Sequence, residues 1–188
     1  NDGYGIAANT KCLCGASGKY STQTADDCND LNGSVHPNAG EVCDNLDNNC
    51  DGSTDPRDSG GCQTYYLDND LDTYGHATLS QCLCAPNNTT KYKVTNNSDC
   101  YDGNANAKPN QTSYFTSHRG DGSYDYNCNS SPEREFTTVG DCPNLCGGTV
   151  GWWSTVPSCG SSGSWLDSCY YDLFCDPIFC CTDTSSKT

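Results

Sequence analysis

Methionine is absent, histidine occurs three times, and Lys and Arg together number nine against 24 Asp and Glu. Leu, Ile, Val and Phe supply only 22 of the 188 residues. That is about 12%, under the roughly 20% below which a highly charged chain is expected to stay unfolded. No apolar run is long enough to span a membrane. Each shortage excludes something. So few cations make nucleic acid a poor partner, since phosphate contacts need basic side chains. With neither a membrane span nor a signal-peptide core, the expectation is a mature secreted chain with no membrane insertion. Three histidines, and C-x-C spacing at Cys12/Cys14 and Cys82/Cys84 in place of C-x-x-C, argue against zinc ribbons. His36, His76 and His118 sit in turn-like stretches beside no Ser or Cys nucleophile motif. So thin a core can hardly build a catalytic pocket, and an enzyme is not expected.

Cysteine and acid are what the chain has in quantity. Seventeen Cys and a net charge of -15 point to a secreted scaffold held by cross-links and ions in place of a large core. Bound divalent ions would also cancel charge that otherwise opposes compaction. The expected fold is small and irregular, mostly loop with short β-strands, because Gly, Asn, Asp and Ser recur too often for long elements.

The best-formed motif is EVCDNLDNNCDGSTDPRD, Glu41 to Asp58. Its centre, Asp47, Asn49, Asp51 and Gly52, reads D-x-N-x-D-G. Oxygen side chains on alternate residues turn inward when a chain curls round a hard cation, and glycine permits the sharp turn. With Asp47 as position one, Ser53 falls at seven, where a backbone carbonyl serves. Asp55 falls at nine and Asp58 at twelve. Asp in place of Glu at twelve implies a weaker or monodentate closure, and the lack of flanking amphipathic helices excludes an EF-hand. Cys43 and Cys50 bracket the start of the loop.

The chain repeats itself. Asp2-Gly3-Tyr4-Gly5 and Cys12/Cys14 return as Asp72 to Gly75 and Cys82/Cys84. Cys28 returns as Cys100, Pro37 as Pro109, and Leu46 to Cys50 as Tyr124 to Cys128. Four landmarks in one order indicate duplication. Residues 1–61 form a first repeat that starts mid-motif, 62–135 a second, and 136–188 a Cys- and Trp-rich module. Each repeat holds three acidic segments. One is Asp68-Asn69-Asp70-Leu71-Asp72, with Tyr74 as a carbonyl ligand; its truncated counterpart keeps Asp2 and Tyr4. This run has no acid at positions nine or twelve, so Asp99 is expected to complete it. A disulfide from Cys82 or Cys84 to Cys100 would hold Asp99 nearby, contributing roughly 3 kcal/mol. The second segment is Asp30, Asn32 and Ser34, matched by Asp102, Asn104 and Asn106. The third is the loop at Asp47, matched by Asp125, Asn127, Asn129 and Glu133. There Ser130 replaces Gly52 and Asn129 replaces Asp51, so weaker binding is expected.

Short strands are expected at 64–67 and 91–95. In the tail, Trp152, Trp153, Trp165 and Phe174 are expected to make a small core. A sugar-binding platform is the other use of such aromatics, making a surface glycan an alternative partner. The sequons at Asn32, Asn87, Asn88, Asn96, Asn110 and Asn129 carry little weight in a chain so rich in Asn, Ser and Thr.

DDCNDLNGSVHPNAGEVCDNLDNNCDGSTDP and YYLDNDLDTYG resemble the metal-binding repeats of secreted and surface bacterial proteins, over about residues 1–135. The resemblance implies several bound Ca²⁺ ions and a modular extracellular protein. It carries ligand roles to Asp27, Asp30, Asp47, Asn49, Asp51 and Asp55, and to Asp68, Asp70 and Asp72. Thr73 departs from the usual glycine. Such repeats also occur in a copper-binding surface protein, which makes copper the competing ion, although this chain offers no Met and few His. The expected function is a calcium-binding structural subunit of a surface layer or filament, with metal capture or carbohydrate binding as the alternative. An opening in mid-motif and an odd cysteine count lead to the expectation of a homo-oligomer or polymer built by head-to-tail contacts.

Overall fold

The computed structural model describes residues 2–141, 148–153, 155–170 and 181–187. No helix occurs among them. They divide into two compact units, residues 1–69 with 73–97, and residues 70–72 with 98–188.

The first unit contains a three-stranded antiparallel sheet. Its strands are β1 (Gln63–Leu67), β2 (Ser80–Leu83) and β3 (Tyr92–Val94), in the order β2-β1-β3. Two of these match the strands expected at 64–67 and 91–95; β2, carrying Cys82, was not anticipated. Gly75 packs under this sheet. A Cβ there would lie 2.4 Å from the Asn96 carbonyl oxygen and 2.6 Å from the Tyr66 Cβ, so no other residue fits the Tyr-Gly end of the motif.

The second unit contains β4 (Val139–Gly140), β5 (Gly151–Trp153), β6 (Gly163–Tyr170) and β7 (Cys181–Lys187), in sequential order. β4 runs parallel to β5 and the other pairs are antiparallel. Trp152 and Leu166 are buried in this sheet. Trp165 meets Trp152 edge-on at 5.3 Å and Phe136 at 5.1 Å, while the Trp152 indole N–H donates to the Phe136 carbonyl. Trp153 is 46% exposed, which corrects its assignment to the core. Successive residues of a strand face opposite sides, so Trp152 and Trp153 cannot share one interior. Phe174 lies outside the described residues. Of the tail cysteines whose side chains are described, Cys159 is free.

Among the described residues four disulfides join Cys28–Cys50, Cys43–Cys84, Cys62–Cys82 and Cys100–Cys128. The bridge expected from Cys82 or Cys84 to Cys100 does not form. Cys100 pairs with Cys128 as Cys28 pairs with Cys50, because the two segments are copies. The likeness extends to the backbone. The His36 amide donates to the Asn48 carbonyl, and that of Lys108 to the Tyr126 carbonyl, both at 2.9 Å. Asn38 and Asn110 both take left-handed φ values, as do Cys50 and Cys128.

The interior is more polar than apolar. Among the described residues Val35, Ala107, Tyr126, Trp152 and Leu166 are the buried hydrophobics, against buried Asp27, Asn48, Ser59, Asp68, Asp72, Asp99 and Asp125. Five of these are carboxylates. An ionised carboxylate out of water is costly unless paired with positive charge, so a fold of this kind calls for cations.

Candidate metal centre

Alternating Asp and Asn shape the loops through one repeated device. A side-chain oxygen accepts the amide two residues on, which turns the chain and points the acid inward. Asp27 receives the Asn29 amide and Asp99 that of Tyr101, both at 2.8 Å. Asn32 and Asn104 receive the amides of Ser34 and Asn106 at 3.2 Å. Asp51 and Asn129 receive those of Ser53 and Ser131 at 2.8 Å. Such a bond occupies one oxygen, and the disposition of the other decides whether an acid is a turn former or a ligand.

The acids converge in the second unit. Oxygens of Asp70, Asp72 and Asp99 all lie within 4.8 Å of one another, and an oxygen of Asp102 lies within the same distance of Asp70. An ion 2.3–2.6 Å from each ligand holds ligand oxygens no more than about 5 Å apart, so the set is of a size to surround one. Leu71, between two of these acids, has a φ of 70°. Asp72 is 7% and Asp99 4% exposed. Asp99 Oδ1 takes the Tyr101 amide, while Oδ2 is buried and accepts no hydrogen bond. Burial raises the Asp99 carboxyl to about 6; the charges of Asp70, Asp72 and Asp102 add to this, against the Tyr101 amide. Asp99, expected from sequence to complete the Asp70 and Asp72 run, is thus found beside both acids.

All the donors are oxygens. No histidine joins the set. Cys100 and Cys128 lie close to Asp99, but their sulfurs are bonded to each other and cannot act as thiolates. Oxygen ligands of this kind suit a hard cation.

The other expected ligands are placed as follows. Asp68 is fully buried, 3.2 Å from the Lys93 ammonium, and receives the Thr73 amide. Tyr74 is half-buried. Asp27 reproduces Asp99: Oδ1 is engaged, and Oδ2 is buried and accepts no hydrogen bond. Asp2 receives the Tyr4 amide at 2.9 Å, which holds its carboxyl below the usual range, and the Tyr4 ring stacks on His36. Asp30 is exposed. Among the described residues Asp2, Asp27 and Asp30 do not form a triad as tight as that at Asp99.

In the loop at Asp47 the carboxylates also serve the backbone. Asp47 accepts the amides of Asp51 and Gly52, Asn49 that of Asp51, and Asp55 those of Asp44 and Asn45. Ser53, as donor to Asp51, holds that carboxyl below its usual range, helped by Asn49. Asp58 is exposed beside Arg57. The second copy repeats this scheme. Asp125 accepts the amides of Asn129 and Ser130, and Asn127 that of Asn129. Asn104 donates to the Arg119 carbonyl, Asn106 is exposed, and Glu133 has one buried oxygen with no hydrogen-bond partner. Sequence reasoning missed Glu41. Its Oε1 takes the Asn49 amide at 2.8 Å, and its Oε2 is buried and accepts no hydrogen bond. It lies ahead of the alternating run, outside the loop spacing that singled out the other acids.

A family model named Cu-binding MopE, described as a "putative metal-binding motif", matches residues 27–56 and 99–114. No curated protein and no solved structure matches the chain. The two matched stretches open on Asp27 and Asp99, each a buried acid with one oxygen that accepts no hydrogen bond. In both repeats, then, the chain is similar to a family of metal-binding motifs.

Proposed function

We propose that the protein is an extracellular calcium-binding structural protein, its repeats stabilised by several Ca²⁺ ions together with disulfides, and that such chains associate head-to-tail in a surface layer or filament. The observation that carries this reading is Asp99 Oδ2, buried beside Asp70 and Asp72 with no hydrogen-bond donor. A divalent cation held by Asp70, Asp72, Asp99 and Asp102 would supply the positive charge this set calls for. Four disulfides in the described residues suit an oxidising, extracellular setting. In this reading the ions serve the fold and the chain catalyses nothing.

Copper is the second reading, favoured by the name of the matching family. Carboxylates without imidazole or thiolate favour calcium over it. Native mass spectrometry and thermal unfolding in chelator, in Ca²⁺ and in Cu²⁺ separate the two. Calcium is expected to bind in several equivalents and to raise the melting temperature lost in chelator. Greater stabilisation by copper would establish the second reading. A melting profile unchanged by chelator and by either ion would overturn both.

A further inference from the structure

The two C-x-C segments are sequence copies with different fates. Cys82 and Cys84 are bonded to Cys62 and Cys43. Around them β2 pairs with β1, and the Asp58 amide donates to the Cys82 carbonyl at 3.1 Å. The C-x-C strand of the second repeat is thereby clasped onto the acidic loop of the first, by two disulfides nineteen residues apart on the receiving side, Cys43 and Cys62. Cys12 and Cys14 stand where Cys82 and Cys84 do in their repeat, yet both are free and exposed. Residues 10–14 lie in no strand and are exposed throughout. Leu13 is 46% exposed, whereas its counterpart Leu83 is half-buried. Beside this segment is an open hollow of about 560 Å³ whose walls include Ile6, Leu13, Cys14 and Tyr20.

We propose that Cys12 and Cys14 are the inserting half of an inter-repeat clasp. The partner is another acidic-loop repeat presenting cysteines equivalent to Cys43 and Cys62. Cys14 bonds the first and Cys12 the second, and the partner's strand covers Leu13 as β1 covers β2. Each bond forms by exchange with a small disulfide such as oxidised glutathione: two protein thiols become one disulfide and one glutathione disulfide becomes two thiols. Once the first bond forms the second is intramolecular, so the pair resists reduction roughly a hundredfold better than either alone. A second copy of this chain cannot be the partner, because its Cys43 and Cys62 are bonded and Asp121 stands at the Cys43 position of its second repeat. The clasp goes beyond the proposed function and depends on neither half of it.

The test uses the full chain and a synthetic peptide of residues 41–67 carrying Cys50→Ser, mixed in a glutathione redox buffer with chelator present. One peptide per chain is expected, with peptide mapping showing Cys14–Cys43 and Cys12–Cys62 bridges. Cys12→Ser should capture the peptide by one bond and release it at roughly a hundredfold lower reduced glutathione. Since Cys12 is exposed, this variant leaves the fold intact. Scrambled bridges, capture at Cys159 as readily, a Cys12–Cys14 bond, or no capture would each overturn the clasp. Metal titration is a separate measurement, so failure of the metal reading is distinguishable from failure of this one.

Discussion

Asp27 and Asp99 occupy the same place in the two repeats. Each gives Oδ1 to the amide two residues ahead and keeps Oδ2 buried with no hydrogen bond, and each precedes a half-cystine that closes its loop. The difference is company: Asp70 and Asp72 stand beside Asp99, while no such triad forms around Asp27 among the described residues.

The first prediction follows from that company. In chelator the folded Asp99 holds its proton up to about pH 6, whereas the unfolded chain releases it near 4. The folded state therefore loses stability as pH rises between these values, and above about 6 the cost is complete. Asp99→Asn removes the charge and can donate to the neighbouring carboxylates. It should raise metal-free stability at pH 7.5 by on the order of 2 kcal/mol, with the gain vanishing by pH 4, and it should blunt stabilisation by Ca²⁺. Thermal unfolding across that pH range, with and without calcium, checks both halves.

A second prediction compares the duplicated loops. Asp51→Ala removes a carboxylate where the second copy has only the amide Asn129. Calorimetric titration should show a larger loss of calcium affinity for Asp51→Ala than for Asn129→Ala. Silence in both variants would make the loops acidic turns and nothing more.

Backbone strain gives a third. Gly52 has a φ of 93° and its counterpart Ser130 a φ of 72°. The left-handed region costs a residue with a Cβ roughly 1–2 kcal/mol, against roughly 0.5–1 kcal/mol of extra chain entropy lost by glycine. Ser130→Gly should therefore stabilise the second repeat by somewhat under about 1 kcal/mol, read from the denaturation midpoint. A loss of stability would show that the hydroxyl has a task the turn does not explain.

The fourth concerns cross-linking. Cys100–Cys128 closes a loop with a sequence separation of 28, for which chain entropy gives about 3.6 kcal/mol. Removing it with Cys100→Ala and Cys128→Ala should cost about that much in the denaturation midpoint. Because Cys100 follows Asp99 directly, calcium affinity should fall as well.

Much of this was legible in the residues because local chemistry sets it. Alternating Asp and Asn fold their own turns, and the run at Asp70 and Asp72 lacked acids at two ligand positions, which pointed outward to Asp99. The strands at Gln63–Leu67 and Tyr92–Val94 were visible in their aromatic and β-branched content. The bridge at Cys100 was misassigned by following proximity to Asp99. The duplication already required it to pair as Cys28 does. Trp153 was misplaced because a hydrophobic pair was counted without the alternation a strand imposes. Ser80–Leu83 was missed because its pairing to β1 depends on bonds from Cys82 and Cys84 to residues well upstream, and no short window of sequence shows such partners.

The disulfide ladder also fixes what happens under tension. Pulled along its length, residues 2–141 pass force from Cys28 to Cys50, back to Cys43, across to Cys84, on to Cys100 and over to Cys128. More than half of that stretch lies in loops the load never enters. The shielded lengths include Asp30, Asn32, Ser34, Asp68, Asp70, Asp72, Asn104, Asn106 and Asp125. A strand built of such repeats would pay out only the stretches between the bridges, 84–100 among them, and the closed loops with their acids would open only when a covalent bond between sulfurs gives way.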